Sequence, residues 1–194
     1  MSESLHKSED RFTYGDYLKW PEGERWELID GVAYDMTPAP GMQHQVISSR
    51  LHGQIFEFLK GQSCIVFSAP FDVRLPEANE SDDEIVTVVQ PDLLVVCDKQ
   101  KIDDRGCRGA PDFIIEIISP STAAKDQIQK VALYERHGVK EYWLVHPVDQ
   151  LVTVRLLDEN GKYGIPLIRA GKECLAVATL PGLEIDLDAV FATL

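Results

Sequence analysis

The stretch "PDFIIEIISPST", residues 111–122, sets one carboxylate, Glu116, inside a run of Phe113, Ile114, Ile115, Ile117 and Ile118. A strand that is apolar at consecutive positions has no solvent face, so it belongs in the middle of a covered sheet. Burying an unpaired carboxylate there costs several kcal/mol or forces it to neutralise. Any fold for this chain must therefore bring a compensating group to Glu116, and that group is the first clue to function.

A second strand repeats the arrangement. In "QPDLLVV" Asp92 follows Pro91, and Leu93 to Val96 continue without polar relief. If the two strands are neighbours, both acids face one site and can share a divalent cation; oxygen donors of this kind suit Mg²⁺ or Mn²⁺. Without a cation the paired carboxylates repel and one pKa rises. A lysine can help. In "AAKDQIQKVALYERHG" the residues Asp126, Lys130 and Tyr134 recur every four positions and share one helix face, whereas Lys125 lies on another. A helix that follows the Glu116 strand and packs back on the sheet can aim Lys130 at the acid. Each residue also has an ordinary reading: Asp92 as a strand start or turn cap, Lys130 as a surface residue paired with Asp126, and Tyr134 as core with a satisfied hydroxyl.

The rest of the chain supplies the sheet and its cover. "TYGDYLKW" predicts a short helix from about Thr13 to Pro21. "RWELIDGVAYDM" reads as a hairpin turning at Asp30-Gly31. Residues 41–59 take a helical pattern with Ile47, Leu51, Ile55 and Phe58 as the buried stripe. "SCIVFS", "FDVRL", "IVTVVQPDLLVV", "KEYWLVHP" and "QLVTVRLL" are strand-like, and Gly106, Gly109 and Pro111 mark a loop. A helix is expected over residues 123–137 with Gly138 as its stop, its approach capped by Ser119 or Ser121-Thr122. "LPGLEIDLDAVFATL" alternates like a half-exposed strand. Together these predict an α/β (α+β) domain with a central mixed β-sheet flanked by helices, and residues 1–194 are read as one domain.

Composition narrows the class. The 194 residues are 44% hydrophobic and 26% charged, an ordinary globular balance, and no apolar run reaches the roughly 18 residues of a membrane span. With no signal-like opening, the expectation is a cytoplasmic protein with no membrane partner. The four cysteines, Cys64, Cys97, Cys107 and Cys174, show neither zinc spacing nor a disulfide framework, and free buried thiols are expected. The net charge of -13 weighs against a general nucleic-acid binder, although part of it lies in "PEANESDDE", read as a solvated, mobile loop.

In order along the chain, "WELIDG", "QPDLLVV", "DFIIEIISPST", "KDQIQKVALYERHGVKEYWLVHP" and "LPGLEIDL" resemble the Uma-two family of bacterial proteins, assigned to the PD-(D/E)XK restriction-endonuclease-like superfamily. The resemblance runs from about Trp26 to the C-terminus. It implies a restriction-endonuclease-like fold, here with C-terminal β-hairpin additions, and a metal-dependent endonuclease acting on DNA, as a homodimer. On this resemblance Asp92 and Glu116 match the motif acids and hold Mg²⁺ or Mn²⁺ with the Ile117 carbonyl. Glu27 matches the early glutamate, and His44 a histidine that approaches substrate. The superfamily lysine, two residues after the second acid, is replaced by Ile118; Lys130 on the following helix is the matching position. Two other readings stay open: a catalytically silent binding module that kept the fold, favoured by the charge of -13, and a metal-dependent hydrolase of a small phosphorylated substrate.

Overall fold

The computed structural model describes residues 11–21, 23–36, 39–119 and 125–193. The strands are β1 (Trp26–Ile29), β2 (Val32–Asp35), β3 (Ile65–Ser68), β4 (Val73–Arg74), β5 (Val88–Val89), β6 (Leu93–Val96), β7 (Ile102–Asp103), β8 (Gly106–Arg108), β9 (Phe113–Ile117), β10 (Glu141–His146), β11 (Leu151–Leu156), β12 (Leu167–Ala170), β13 (Cys174–Ala176) and β14 (Glu184–Asp186). The helices are α1 (Tyr14–Tyr17), α2 (Met42–Leu59), α3 (Lys130–His137) and α4 (Leu187–Phe191).

The expected mixed sheet is present, as β12-β11-β10-β9-β6-β3. The pair β9–β10 is parallel and the others are antiparallel. The all-apolar β9 lies inside it, with all five of its residues buried. Alternation along the strands then builds two cores. Leu93, Val95, Phe113, Ile115, Ile117 and Trp143 pack against α2 and the C-terminal segment. Leu94, Val96, Ile114, Tyr142 and Leu144 pack against Leu133 and Tyr134 of α3 and against a second six-stranded sheet, β2-β1-β5-β4-β8-β7. That second sheet includes the small β7–β8 hairpin where only a loop was expected. Gly106 makes it possible: its φ is +117°, and a Cβ there would lie 2.2 Å from the Asp72 carbonyl oxygen.

Local signals account for most element ends. Thr13 and Asp16 cap each other at the start of α1, which lasts one turn only. Asp30 and Gly31 take positive φ (52° and 81°), as a tight β1–β2 turn requires. The α2 stripe is Ile47, Leu51, Ile55 and Leu59; Phe58 sits on the flank, half-buried. The C-terminal alternation holds only over β14, because the Asp186 side chain accepts from Ala189 N–H and starts α4. Gly138 ends α3 in the left-handed conformation, and a wide π-type turn over Lys125–Gln129 precedes it. The expected helix start, with Ser121, Thr122 and Ala123, lies outside the described residues, as does the side chain of Asp126.

Two further expectations change. Cys64 and Cys97 form a disulfide. They immediately flank the antiparallel pair β3–β6, in which Ile65 faces Val96, so the next step of the register brings their Cα atoms to 3.9 Å. Cys107 (buried) and Cys174 (exposed) are free. The acidic loop is also anchored: Arg74, fully buried, pairs with Asp82 and, at 2.6 Å, with Asp103, and Arg108 reaches Asp82 at 2.8 Å.

Thiol titration of the denatured chain should therefore find two free thiols before reduction, Cys107 and Cys174, and all four afterwards. Closing a loop across a sequence separation of 33 stabilises by about 4 kcal/mol in the chain-entropy picture, so reduction should lower the urea midpoint accordingly. The Arg74 hydrogen bond holds the Asp103 carboxyl below its usual value. A lowered native pKa contributes stability above the unfolded carboxylate range that is lost as pH falls through the native value. Asp103→Asn should flatten the acid limb of a stability profile below about pH 4, and an unchanged limb would remove this assignment.

Candidate active site

The compensating groups for Glu116 come from α3. Lys130 and Tyr134 lie one turn apart on the face turned to the sheet. Lys130 Nζ donates to Glu116 Oε1 at 2.7 Å, and the Tyr134 hydroxyl donates to the same oxygen at 2.9 Å. Lys130 Nζ also lies 2.8 Å from Oε1 of Glu27, on β1 of the second sheet. All four residues are buried, Lys130 at 3% exposure and Glu27 at 0%. Burial and the Glu116 carboxylate push the Tyr134 hydroxyl well above its ordinary pKa, so it remains a donor.

Asp92 reaches the site from the neighbouring strand. Leu93 of β6 faces Ile115 of β9, so one further step in the antiparallel register sets Asp92 opposite Glu116, on the same side of the sheet. Asp92 Oδ2 accepts the Ile117 N–H at 2.7 Å and meets His44 Nε2 at 3.1 Å. Its Oδ1 has no hydrogen-bond partner among the described residues. In an extended strand a residue's N–H and C=O point to the same edge, so the Ile117 carbonyl is directed to the Asp92 side. His44 is placed by the first turn of α2, whose N-terminus arrives at this end of the sheet.

Behind Glu27 a further polar layer appears that no sequence pattern singled out. The Gln90 N–H donates to Glu27 Oε1 at 3.1 Å. The Gln90 side chain donates to Asp72 at 2.8 Å and to the Tyr17 hydroxyl at 3.2 Å, and accepts from Arg25 at 3.2 Å. Burial raises the Asp72 carboxyl pKa, while hydrogen bonds from Gln90 and Tyr17 oppose that shift.

Among the described residues, no group of three or more His, Cys, Asp and Glu is arranged to hold a metal ion. Glu27 is turned towards Lys130. The oxygen donors gathered at this end of β9 are the Asp92 carboxylate, the buried Glu116, whose Oε1 accepts from Lys130 and Tyr134, and the Ile117 carbonyl, an all-oxygen set. It fits Mg²⁺, which keeps several waters and takes one or two carboxylates.

Residues 14–188 match a family described as "Putative restriction endonuclease", Uma2. The chain belongs to the Uma2 family. "Uncharacterized protein slr1290" of Synechocystis is 27% identical over 151 residues, spanning 76% of this chain and 75% of that protein. A crystal structure described as a putative nuclease belonging to DUF820, from Anabaena variabilis, superposes with a TM-score of 0.74 at 21% identity, over 93% of this chain and 98% of that one. At that identity the likeness bears on the fold.

Within this Uma2 chain, Glu27, Glu116 and Lys130 form one buried ion cluster, and Asp92 and His44, 18% and 14% exposed, form a second pair at its more open end. Tyr134, placed by its spacing on the Lys130 face and expected to be core with a satisfied hydroxyl, is core and gives that hydroxyl to Glu116. The Gln90 layer had no such signal, because its contact to Glu27 is through the backbone.

Removing one partner from a buried charge cluster leaves the rest uncompensated, so Lys130→Met should destabilise by about 3–5 kcal/mol in urea unfolding. Tyr134→Phe removes a hydrogen bond to a charged group and should cost about 1.5–3 kcal/mol. Combining Lys130→Met with Glu116→Gln should recover part of the loss. A strictly additive double variant would mean that the two side chains do not interact.

Proposed function

We propose that this chain is a metal-dependent endonuclease that hydrolyses phosphodiester bonds, with DNA as its substrate and Mg²⁺ or Mn²⁺ as its cofactor. The observation that carries the reading is the opposition of Asp92 and Glu116 across β6 and β9, with Lys130 on Glu116. Asp92, Glu116 and the Ile117 carbonyl are the residues to hold the cation. When bound, that cation lowers the pKa of a coordinated water and offsets charge on the phosphate.

The remaining roles fall to the chain's own groups. Lys130 lies against Glu116, where its ammonium can orient the attacking water or stabilise charge on the phosphoryl oxygens. Glu27 fixes Lys130 from the opposite side, and the Gln90 N–H fixes Glu27. Tyr134 holds one oxygen of Glu116, which sets the carboxylate plane. His44 restrains Asp92 through Oδ2 and leaves Oδ1 open towards the site. We also assign it the role of meeting a substrate phosphate. Cleavage of both strands of a duplex calls for two such sites, which is the argument for a homodimer. A cytoplasmic setting suits this substrate, and no helix among the described residues is long and apolar enough to cross a membrane.

A second reading draws on the net charge of -13: the same residues could hydrolyse a small phosphorylated substrate, which needs no basic surface. Isothermal titration of Mn²⁺ and Mg²⁺, paired with plasmid nicking, separates the two. The wild-type chain should bind metal and nick plasmid, with nicking abolished by EDTA. Glu116→Gln should lose both, and His44→Ala should weaken metal binding by about 10- to 100-fold, as loss of a group that orients a ligand does. Metal binding without cleavage of any nucleic acid would favour the small substrate. No metal binding in the wild-type chain would end the metal-dependent reading.

A further inference from the structure

The long helix α2 is covered on one flank and open on the other. Its core row, Ile47, Leu51, Ile55 and Leu59, packs on the sheet. One flank is held by the C-terminal segment: Arg50 donates to the Val190 and Ala192 carbonyls at 3.2 and 2.5 Å, and Gln54 exchanges hydrogen bonds with the Asp186 backbone at 3.2 and 2.8 Å. The opposite flank carries His44, Ser48, His52, Phe56 and Lys60, each four residues on from the last. This row runs beside β3, the edge strand of its sheet.

Three features give that flank the chemistry of a stacking track. The Phe56 ring is 52% exposed and stacks on His52, with centroids 6.1 Å apart and planes 29° from parallel. His52 is held by its Nδ1, 2.6 Å from Ser68 Oγ, which directs Nε2 away from β3. Lys60 Nζ lies 5.6 Å from the Phe56 ring centroid, where it also pairs with Glu57 at 2.5 Å. The row is continuous with the candidate site, because its first member, His44, contacts Asp92. From His44 to Lys60 it spans about 24 Å at 1.5 Å per residue, room for several nucleotides.

We propose that this flank of α2 binds a single strand of nucleic acid leading to or from the scissile phosphate, with bases stacked on Phe56 and His52 and backbone phosphates met by Lys60 and the His52 ring. Base stacking on aromatic rings is sequence-tolerant, because every base has a π-face, and Lys60 beside the Phe56 ring supplies the cation that such sites combine with stacking. The direction of the strand rests on the nuclease reading; the stacking surface does not.

The test is fluorescence anisotropy in EDTA, so that no cleavage is required, with a fluorescein-labelled single-stranded deoxyoligonucleotide of mixed sequence and its duplex as probes. The single strand should bind more tightly than the duplex. Phe56→Ala, at an exposed position, should weaken single-strand binding by about tenfold or more. Phe56→Trp should retain binding, with its added tryptophan emission quenched on addition of the oligonucleotide. Equal binding by wild type and Phe56→Ala, or unquenched Phe56→Trp emission, overturns the proposal. So does a wild-type dimer in sedimentation that Phe56→Ala converts to monomer while oligonucleotide binding is unchanged, since that flank would then be a contact between two copies of the chain. The outcomes also separate this inference from the nuclease reading. Quenching without plasmid nicking keeps the track and removes the nuclease, whereas nicking that Phe56→Ala leaves untouched in rate and affinity does the reverse.

Discussion

The ammonium of Lys130, 2.7 Å from Glu116 and 2.8 Å from Glu27, is the contact on which the arrangement of this end of the molecule depends. It joins three elements distant in sequence: β1 of one sheet, β9 of the other, and α3, which packs on the face of the second. None of these charges can be left alone at this depth, since each would carry a desolvation cost of several kcal/mol. The two sheets and the helix are consequently held in one relative placement by charge as well as by apolar packing. A hydrophobic trio of similar volume could fill the space. It could not keep a carboxylate ionised at the end of β9, where Asp92 stands opposite.

That cluster is supported from behind by groups that never reach the open end. Gln90 gives its backbone N–H to Glu27 and spends its side chain on Asp72, Tyr17 and Arg25. Tyr17 belongs to α1, and Tyr14 of the same turn lies in the small apolar cluster with Leu28 and Val88. The N-terminal turn is thus linked through one glutamine to the acid that fixes Lys130. Pro91 follows Gln90 directly and then Asp92, so three consecutive residues place one backbone donor on Glu27 and one carboxylate opposite Glu116.

Legibility in the sequence followed the physics of each signal. Glu116 could be read because an acid among consecutive branched apolar residues has few physical explanations, and Lys130 because helical spacing and chain order delivered it to the same sheet. The same spacing also allowed a surface lysine paired with Asp126, and the family resemblance singled out Lys130 as the matching position. Glu27 was reached only through the family resemblance, since "WELID" by itself alternates like many half-buried strands. The Cys64–Cys97 disulfide was missed because it depends on the β3–β6 register, which links positions 33 apart and leaves no local mark. The β7–β8 hairpin was missed for a related reason: its glycines signal a turn equally well with or without paired strands around it. The start of α4 shows a local rule overriding another, where the Asp186 cap ends an alternation that would otherwise continue as strand.

Charge remains the property that most constrains a nucleic-acid partner. Much of the positive charge is already spent internally: Arg74 and Arg108 on Asp82, Arg136 on Asp30 and Glu77, Lys140 on Asp112, and Lys162 on Glu135. Pairing with carboxylates lowers the positive field that these cations project, and with it the long-range steering of a duplex. On the proposed nuclease reading, phosphate recognition is then short-range, at the Asp92–Glu116 end of the sheet, and Lys130, 3% exposed, acts from behind Glu116. Affinity beyond that has to come from contacts that do not depend on opposite charge. An exposed aromatic ring on the open flank of α2, continuous through His44 with Asp92, supplies a contact of that kind. On the proposal made for the α2 flank, an unpaired strand offers its bases to Phe56 and His52, whereas the bases of a duplex are already stacked on one another.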